Sequence, residues 1–135
     1  SGDVVLFEYP HDPKQIFAKR CAAAEGDTVS FIGKTLLVNN MRTPASLPAK
    51  FSDPDTIPAT HGTRDYLKPT AIPAGMFFAL GDNRDFSSDS RMWGPVPEHR
   101  LIGKAVMIVW SSEPGAPFGG VFGPHRKGRT WKRIE

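Results

Sequence analysis

Charged and hydroxyl side chains are concentrated in one segment of the sequence, residues 81–94. This segment contains three Asp, two Arg, one Asn and three Ser between two glycines, and it follows the apolar run 76–80. An ordinary surface turn needs one or two turn-forming residues rather than alternating carboxylates and guanidiniums. We interpret the segment as a polar network in which ion pairs fix the positions of hydroxyl groups. An ion-paired surface turn without chemistry is the alternative.

A second candidate for chemistry is Lys19, which lies in the predicted strand 15–22. Because side chains alternate along a strand, Phe17, Lys19 and Cys21 would share one face. Apolar neighbours disfavour the ammonium form, so a lysine held among them loses its proton more readily than one in water. A neutral lysine can act as general base for a hydroxyl nucleophile. A lysine that reaches solvent from its strand is the alternative.

Together, these two segments resemble the bacterial type I signal peptidase (leader peptidase) family of membrane-bound Ser-Lys endopeptidases. Residues 2–10 resemble the family's first strand, 17–29 the strand of its general-base lysine, 81–97 its Gly-Asp-Asn-Arg-Asp signature and 102–111 its closing strand. The resemblance implies an all-β fold of the signal-peptidase and LexA type, with coiled antiparallel sheets, long loops and little helix. It also implies a serine endopeptidase that removes signal peptides from exported preproteins.

The resemblance implies catalytic roles for two residues and a supporting role for an ion pair. Lys19 matches the general base, which deprotonates the attacking serine and later protonates the leaving amine. Ser87 matches the hydroxyl that hydrogen-bonds the lysine amine and orients it. Asp89 and Arg91 match an ion pair that steadies the loop carrying Ser87.

Other charged residues match structural positions around this site. Arg20 matches a structural neighbour of the lysine, and Gly81 and Asp82 belong to the turn that delivers the signature loop. We expect the acids of the signature to be paired by Arg84 and Arg91, which would keep them from stabilising a neighbouring ammonium.

Phe17 and Ala18 are the candidate substrate-binding residues, because an extended peptide can add as a strand beside the residues that precede the lysine. Phe17, with Met92 or Trp93, is also expected to form the apolar wall around the amine. Members of the family often carry a larger aliphatic residue at the position of Ala18. We therefore expect a deeper pocket and relaxed selection at the third substrate residue before the cut, although simple packing of Ala18 is the alternative.

The family's nucleophilic serine has no counterpart in the sequence. In the family it precedes the first strand in a Ser-Met-x-Pro motif, and no Ser-Met pair occurs here. We therefore expect an N-terminally truncated catalytic domain that is inactive by itself. The N-terminal membrane anchor is expected in the same missing segment, since the sequence has no run of about eighteen apolar residues.

Composition predicts one catalytic domain over residues 1–135. Thirteen Gly and thirteen Pro, without long helical periodicity, are typical of short strands joined by turns. A loop-rich insertion is predicted at about 40–75, where Pro, Thr, Ser and Asp prevail. The predicted strands are 4–9, 15–22, 28–32, 35–38, 76–80 and 101–110, with turns at 33–34 and 39–40.

Charge and the resemblance together define the expected partners. Residues 125–133 mix cations with an indole and fit either anionic lipid headgroups or, as we favour, a charged edge strand. The net charge of +3 is too small to indicate a nucleic-acid partner. The resemblance implies signal peptides as substrates, lipid contact through the anchor, and a bacterial inner-membrane location with the domain on the periplasmic side.

Cysteine and histidine usage gives no indication of a cofactor. Cys21 is the single cysteine, so no internal disulfide can form, and a small core residue is a better interpretation than a thiol nucleophile. His11, His61, His99 and His125 show no metal-ligand spacing. We therefore expect neither a metal ion nor an organic cofactor.

Two alternative functions belong to other classes. A catalytically inactive signal-peptidase-like module that binds peptides would fit the absence of the Ser-Met motif. A related Ser-Lys protease, such as a self-cleaving repressor or a conjugative-transfer peptidase, is the second alternative, and the complete signature at 81–97 argues against the repressor type.

Overall fold

The computed structural model describes residues 2–43, 47–109 and 132–134. The chain forms two compact units, Ser1–Lys104 and Ala105–Glu135. The assignment of residues 1–135 to one catalytic domain stays a prediction.

The first unit is built mainly from antiparallel strands. These are β1 (Val4–Tyr9), β2 (Asp12–Ala24), β3 (Thr28–Ile32), β4 (Thr35–Val38), β5 (Met41–Arg42), β6 (Leu67–Ala71), β7 (Met76–Leu80), β8 (Val96–Pro97) and β9 (Leu101–Lys104). One sheet has the order β8-β7-β2-β1-β9 and the other the order β5-β4-β3-β6. A four-residue helix, α1 (Ser90–Trp93), and two short 3-10 turns, Ala59–His61 and Glu98–Arg100, complete the unit. The predicted fold class, all-β with curled antiparallel sheets and little helix, is confirmed.

Strand bounds follow the sequence pattern closely where apolar runs are bracketed by turn residues. β1, β3, β4 and β7 have their predicted bounds. β2 is longer than predicted at both ends: residues 12–14 continue it beside β1, and Ala23 and Ala24 continue it by pairing with β7. The predicted strand 101–110 is interrupted after Lys104 and resumes at Met107.

β6 was not predicted from the sequence. It contains Pro69 and is largely exposed, both of which are unfavourable in a central strand. It pairs antiparallel with β3 at the edge of its sheet, where Val29 faces Thr70. An edge strand tolerates a proline because one of its sides needs no hydrogen-bond partner.

β7 contributes side chains to both hydrophobic cores of the first unit. Phe77 and Ala79 belong to one cluster, with Val5, Phe7 and Val96. Phe78 and Leu80 belong to the other, with Ala22, Ala23, Val29, Phe31, Leu36 and Ile72. Because successive side chains of a strand point to opposite faces, β7 is buried on both sides. The signature loop therefore leaves the fold from a strand that is fixed on both faces.

The second unit contains two short strands among its described residues. β10 (Met107–Ile108) pairs antiparallel with β11 (Lys132–Arg133). Most of the basic tail, residues 125–131, lies outside the described residues, so its two interpretations stay predictions. Over the described ranges, none of the helices has the length and apolar character needed to cross a membrane.

Candidate active site

Lys19 reaches the signature loop because of the register of β2. In the pairing of β2 with β7, Arg20 faces Leu80, so the residue before Arg20 lies beside the residue after Leu80. The Lys19 amine donates a hydrogen bond to Ser87 Oγ over 2.8 Å. The fold thus brings together two side chains that are 68 positions apart in the sequence.

Gly81 makes this contact possible. A Cβ atom at position 81 would overlap the side chain of Ser87, and it would lie 3.6 Å from the Lys19 amine. The sequence assigned Gly81 only to a turn, because a requirement for close approach depends on a neighbour six positions away. The glycine lets the Ser87 hydroxyl lie against the backbone where the loop begins.

Burial lowers the pKa of the Lys19 amine below its ordinary value. The removal of water around the amine is the main cause, the carboxylate of Asp89 acts in the opposite direction, and the Arg91 guanidinium lowers the pKa further. Because Asp89 is itself paired with Arg91, its carboxylate acts on the amine together with an opposing charge.

Phe17 is the aromatic neighbour of the amine, as predicted. Its ring centroid lies 5.6 Å from Lys19 Nζ. The ring displaces water but its face also attracts an ammonium, so its two effects on the lysine pKa oppose each other. Trp93, an alternative candidate, packs instead on Phe7 and Tyr9, with centroid distances of 6.0 and 5.8 Å.

Asp89 closes the signature loop on itself. Its carboxylate accepts two hydrogen bonds from the Arg91 side chain, at 2.9 and 2.8 Å, and one from the backbone N–H of Gly81 at 3.1 Å. It also caps α1 by accepting from the Arg91 backbone N–H. Both residues of the pair are buried. One carboxylate therefore ties the start of the loop to its end.

Arg20 and Asp82 form a bidentate ion pair beside the amine. Arg20 Nε and Nη2 lie 2.8 and 2.9 Å from the two carboxylate oxygens. Arg20 also donates to the carbonyl of Gly2 at 2.6 Å. This pair attaches the first residue after Gly81 to the strand of Lys19, which fits the structural role expected for both.

The prediction that Arg84 pairs with an acid of the signature loop was wrong. Its guanidinium donates to the carbonyls of Gly81 and Pro48, both at 3.1 Å, and no acid in the described part of the chain pairs with it. Asp85 is paired instead by Lys34, at 3.0 Å. Lys34 lies 51 positions upstream of Asp85, in a turn where a lysine usually points to solvent, so no local pattern indicated the pair.

Four of the predicted site residues line one small cleft, whereas Phe17, Ser87, Asp89 and Arg91 do not. It has a volume of about 210 Å³ and is lined by Val4, Ala18, Lys19, Arg20, Gly81 and Asp82. Ala18 is exposed and contributes to the lining of this cleft together with Lys19. A base of lowered pKa beside an open cleft can remove a proton from a nucleophile that enters it.

Comparison with known proteins agrees with this arrangement. Residues 1–110 match the family described as "Signal peptidase, peptidase S26". The chain belongs to the signal peptidase S26 family. Signal peptidase I of Pseudomonas aeruginosa is 33% identical over 141 residues, which cover 84% of this chain and 49% of that protein. A probable thylakoidal processing peptidase of Arabidopsis thaliana is 36% identical over 110 residues, 78% of this chain and 26% of that protein.

A solved signal peptidase has the same fold. The crystal structure of a signal peptidase I from Enterococcus faecalis V583 matches with a TM-score of 0.55 at 26% identity, covering 76% of this chain and 92% of that one. This chain spans about half the length of the Pseudomonas signal peptidases that it matches, 49% in each case.

Substitution of Gly81 by Ala is expected to displace Ser87 and to break its contact with Lys19. The overlap should lower the free energy of unfolding by about 1–3 kcal/mol, as overpacking generally does. Gly103→Ala is the matched control, because a Cβ at position 103 meets no atom within 4 Å; its effect should stay within about 0.5 kcal/mol. Urea unfolding measures both. Equal stabilities of the two variants would contradict the close approach.

The stability of the protein is expected to rise with pH through the titration of Lys19. Since the folded chain has the lower lysine pKa, the unfolded state binds more protons between that pKa and the ordinary value of 10.5. Below this pH window, burial of the ammonium lowers the free energy of unfolding by its full amount. Above the window the amine is neutral in both states, and this destabilisation is absent. Urea unfolding of the wild type and of Lys19→Met, from about pH 7 to about pH 10.5, isolates the effect. The free energy of unfolding of the wild type should rise relative to that of Lys19→Met as pH rises. If the difference between the two free energies stays constant, the pKa of Lys19 is not lowered by folding.

Proposed function

We propose that this chain is the catalytic part of a membrane-associated serine endopeptidase that removes signal peptides from exported preproteins. The observation that supports this most directly is the Lys19–Ser87 contact of 2.8 Å at the cleft, in a member of the signal peptidase S26 family. Lys19 is the proposed general base of a Ser-Lys dyad. The family's order of motifs implies that the attacking serine belongs to a segment N-terminal to residue 1. We therefore propose that residues 1–135 alone would be inactive.

The proposed reaction begins with the neutral amine of Lys19. It takes the proton of the serine hydroxyl as the serine oxygen attacks the scissile carbonyl. The resulting ammonium then donates this proton to the nitrogen of the leaving peptide, and the acyl-enzyme is hydrolysed by a water molecule that the same amine deprotonates. The Ser87 hydroxyl accepts a hydrogen bond from the amine and fixes its direction throughout.

The charges around the site suit this cycle. Asp82 and Asp89 are each bound to a buried arginine, so that neither carboxylate is available to hold Lys19 as a permanent ammonium. A substrate in the cleft would exclude further water from the amine, which strengthens the main cause of its lowered pKa.

The edge of β2 provides a place for an extended peptide. β2 pairs with β7 only from Arg20 onward, whereas its pairing with β1 covers Ile16–Arg20. Among the described residues, Phe17 and Ala18 therefore have no strand partner on the β7 side. A peptide added there would present alternate side chains to the cleft beside Lys19. Signal peptides end in a small-x-small pattern, so a cleft of about 210 Å³ needs to admit only small side chains at these positions.

A thiol mechanism is less well supported. Burial raises the pKa of the Cys21 thiol, which disfavours the nucleophilic thiolate. Attachment to the bacterial inner membrane, with the catalytic part on the periplasmic side, belongs to the same proposal and is supported by the family alone. A peptide-binding module without activity is the competing function.

Lys19→Ala in the full-length protein is expected to abolish cleavage of a preprotein substrate and to leave the thermal unfolding of the domain nearly unchanged. Ser87→Ala should keep measurable turnover, because its hydroxyl orients the base and is not the nucleophile. Lys68→Ala removes an exposed lysine elsewhere and serves as the control. Substantial turnover by Lys19→Ala would exclude Lys19 as the base, and a wild-type protein that binds signal peptides without cleaving them would favour the binding module.

Ala18→Ile is expected to narrow selection at the third substrate residue before the cut. The larger side chain would fill part of the cleft, so cleavage of a Leu substrate relative to an Ala substrate should fall by about tenfold, as pocket changes of this size do. Ala71→Ile, at an exposed position of β6, is the matched control. Comparison of kcat/KM for the two substrates measures the effect. If wild type and Ala18→Ile discriminate equally, Ala18 does not form the pocket.

A further inference from the structure

Lys34 adopts a backbone conformation that is unusual for a lysine. It forms the turn between β3 and β4 with Gly33, and the φ angles of the two residues are 53° for Gly33 and 67° for Lys34. Residues with a side chain are disfavoured at positive φ, where glycine is normally found. A two-residue hairpin turn needs positive φ at both central residues, where Asn, Asp and Gly are preferred, so lysine is an unusual residue at position 34.

The contacts of the Lys34 side chain connect three separate parts of the first unit. Its ammonium lies 3.0 Å from Asp85 Oδ1, in the signature loop, and donates to the carbonyl of Asp53 at 2.7 Å. It also lies 5.7 Å from the centroid of the Phe51 ring. The side chain is 13% exposed and that of Asp85 is fully buried. A turn of the second sheet is thereby joined to the loop that carries Ser87.

Asp85 is held as a buried carboxylate. Burial by itself raises its pKa, but hydrogen bonds from the backbone N–H groups of Asp53 and Ser52, together with Lys34, outweigh burial and leave the pKa below its ordinary value. The carboxylate lies two residues before Ser87. Its position therefore sets the path of the chain that leads to the Ser87 hydroxyl.

The segment 47–65, which Lys34 contacts at Asp53, is attached to both ends of the signature loop. Near the start of the loop, the N–H of Lys50 donates to the carbonyl of Asp82 at 2.7 Å, and the N–H of Arg84 donates to the carbonyl of Lys50 at 2.9 Å. Near its end, Arg91 donates to the carbonyl of Arg64 at 2.7 Å. Lys34 therefore fixes the loop directly, through Asp85, and indirectly, through segment 47–65.

We propose that Lys34 is a positioning residue for the Lys19–Ser87 pair, acting through Asp85. This inference rests on the proposed function of Lys19 and adds a residue that lines no part of the cleft. Removal of the ammonium leaves the buried Asp85 carboxylate without its cation, so the loop rearranges to solvate the carboxylate. Ser87 then moves away from Lys19, and water reaches the amine.

The test compares Lys34→Gly, Lys34→Met and Lys34→Arg. Glycine is the most informative replacement, because it removes the ammonium while it suits the positive φ of the turn. Trace acetylation of the chain with acetic anhydride over a range of pH, followed by mass spectrometry of the peptide containing Lys19, gives the pH at which the Lys19 amine loses its proton. Lys34→Gly and Lys34→Met should move this pH upward toward that of an ordinary lysine, and Lys34→Arg should keep it near the wild-type value.

If Lys34 contributed only to stability, its replacement would not change the titration of Lys19. The control Lys104→Met removes another ion pair of the first unit, with Asp3, in which both side chains are about half exposed. It should leave the titration of Lys19 unchanged. If Lys34→Gly lowers the unfolding temperature but Lys19 titrates as in the wild type, Lys34 is structural and the positioning role is excluded.

Activity provides an independent measurement. In the full-length protein, Lys34→Gly should lower kcat by on the order of 10²-fold with little change in KM, the effect expected when a reacting group is misplaced by about 1 Å. Unchanged kcat would overturn the inference. Failure of the proposed function has a separate signature, because the wild-type Lys19 would then titrate as an ordinary lysine or prove dispensable for cleavage; either result removes the basis of both proposals.

Discussion

The partial desolvation of a single amine is the constraint on which the candidate site depends. Lys19 can act as a base only if its ammonium form is disfavoured, and a single unpaired carboxylate nearby would reverse that condition. The signature loop contains three acids within eight residues, which makes this condition difficult to meet. The fold meets it by giving each acid its own cation: Arg20 for Asp82, Lys34 for Asp85 and Arg91 for Asp89. Burial is the main cause of the lowered lysine pKa, and the ion pairs keep the nearby carboxylates from reversing it.

The rigidity of the loop has its origin in the strand before it. β7 is buried on both faces, so the loop begins from a fixed point at Leu80. Gly81 then allows Ser87 to approach the backbone, and Asp89 binds the loop's first N–H and its last guanidinium. A hydroxyl that must remain within 3 Å of an amine needs this degree of restraint, because small displacements weaken a hydrogen bond steeply. Much of the charged side-chain network therefore serves geometry rather than surface solubility.

The sequence was sufficient for the elements and residues whose signals are local. β1, β3, β4 and β7 are apolar runs between turn residues, and Lys19 and Ser87 lie in recognisable motifs. The prediction that Arg84 pairs with an acid was wrong. The cations that pair with Asp82 and Asp85 lie 62 and 51 residues away in the sequence, so no local pattern identifies them. Segment 47–65 was predicted only as loop. Its backbone hydrogen bonds to the signature loop involve no particular side-chain type, so they leave no pattern in the sequence.

The protonation of the Lys19 amine decides whether this residue can serve as the base. Nitrogen-15 NMR of the lysine side chains, with Lys19 assigned by comparison with Lys19→Arg, follows each amine through its titration. We expect Lys19 to lose its proton at a lower pH than the exposed lysines of the chain, and Gly81→Ala to reduce the difference. Titration of Lys19 together with the exposed lysines would exclude it as the base, since its side chain would then be an ordinary solvated ammonium.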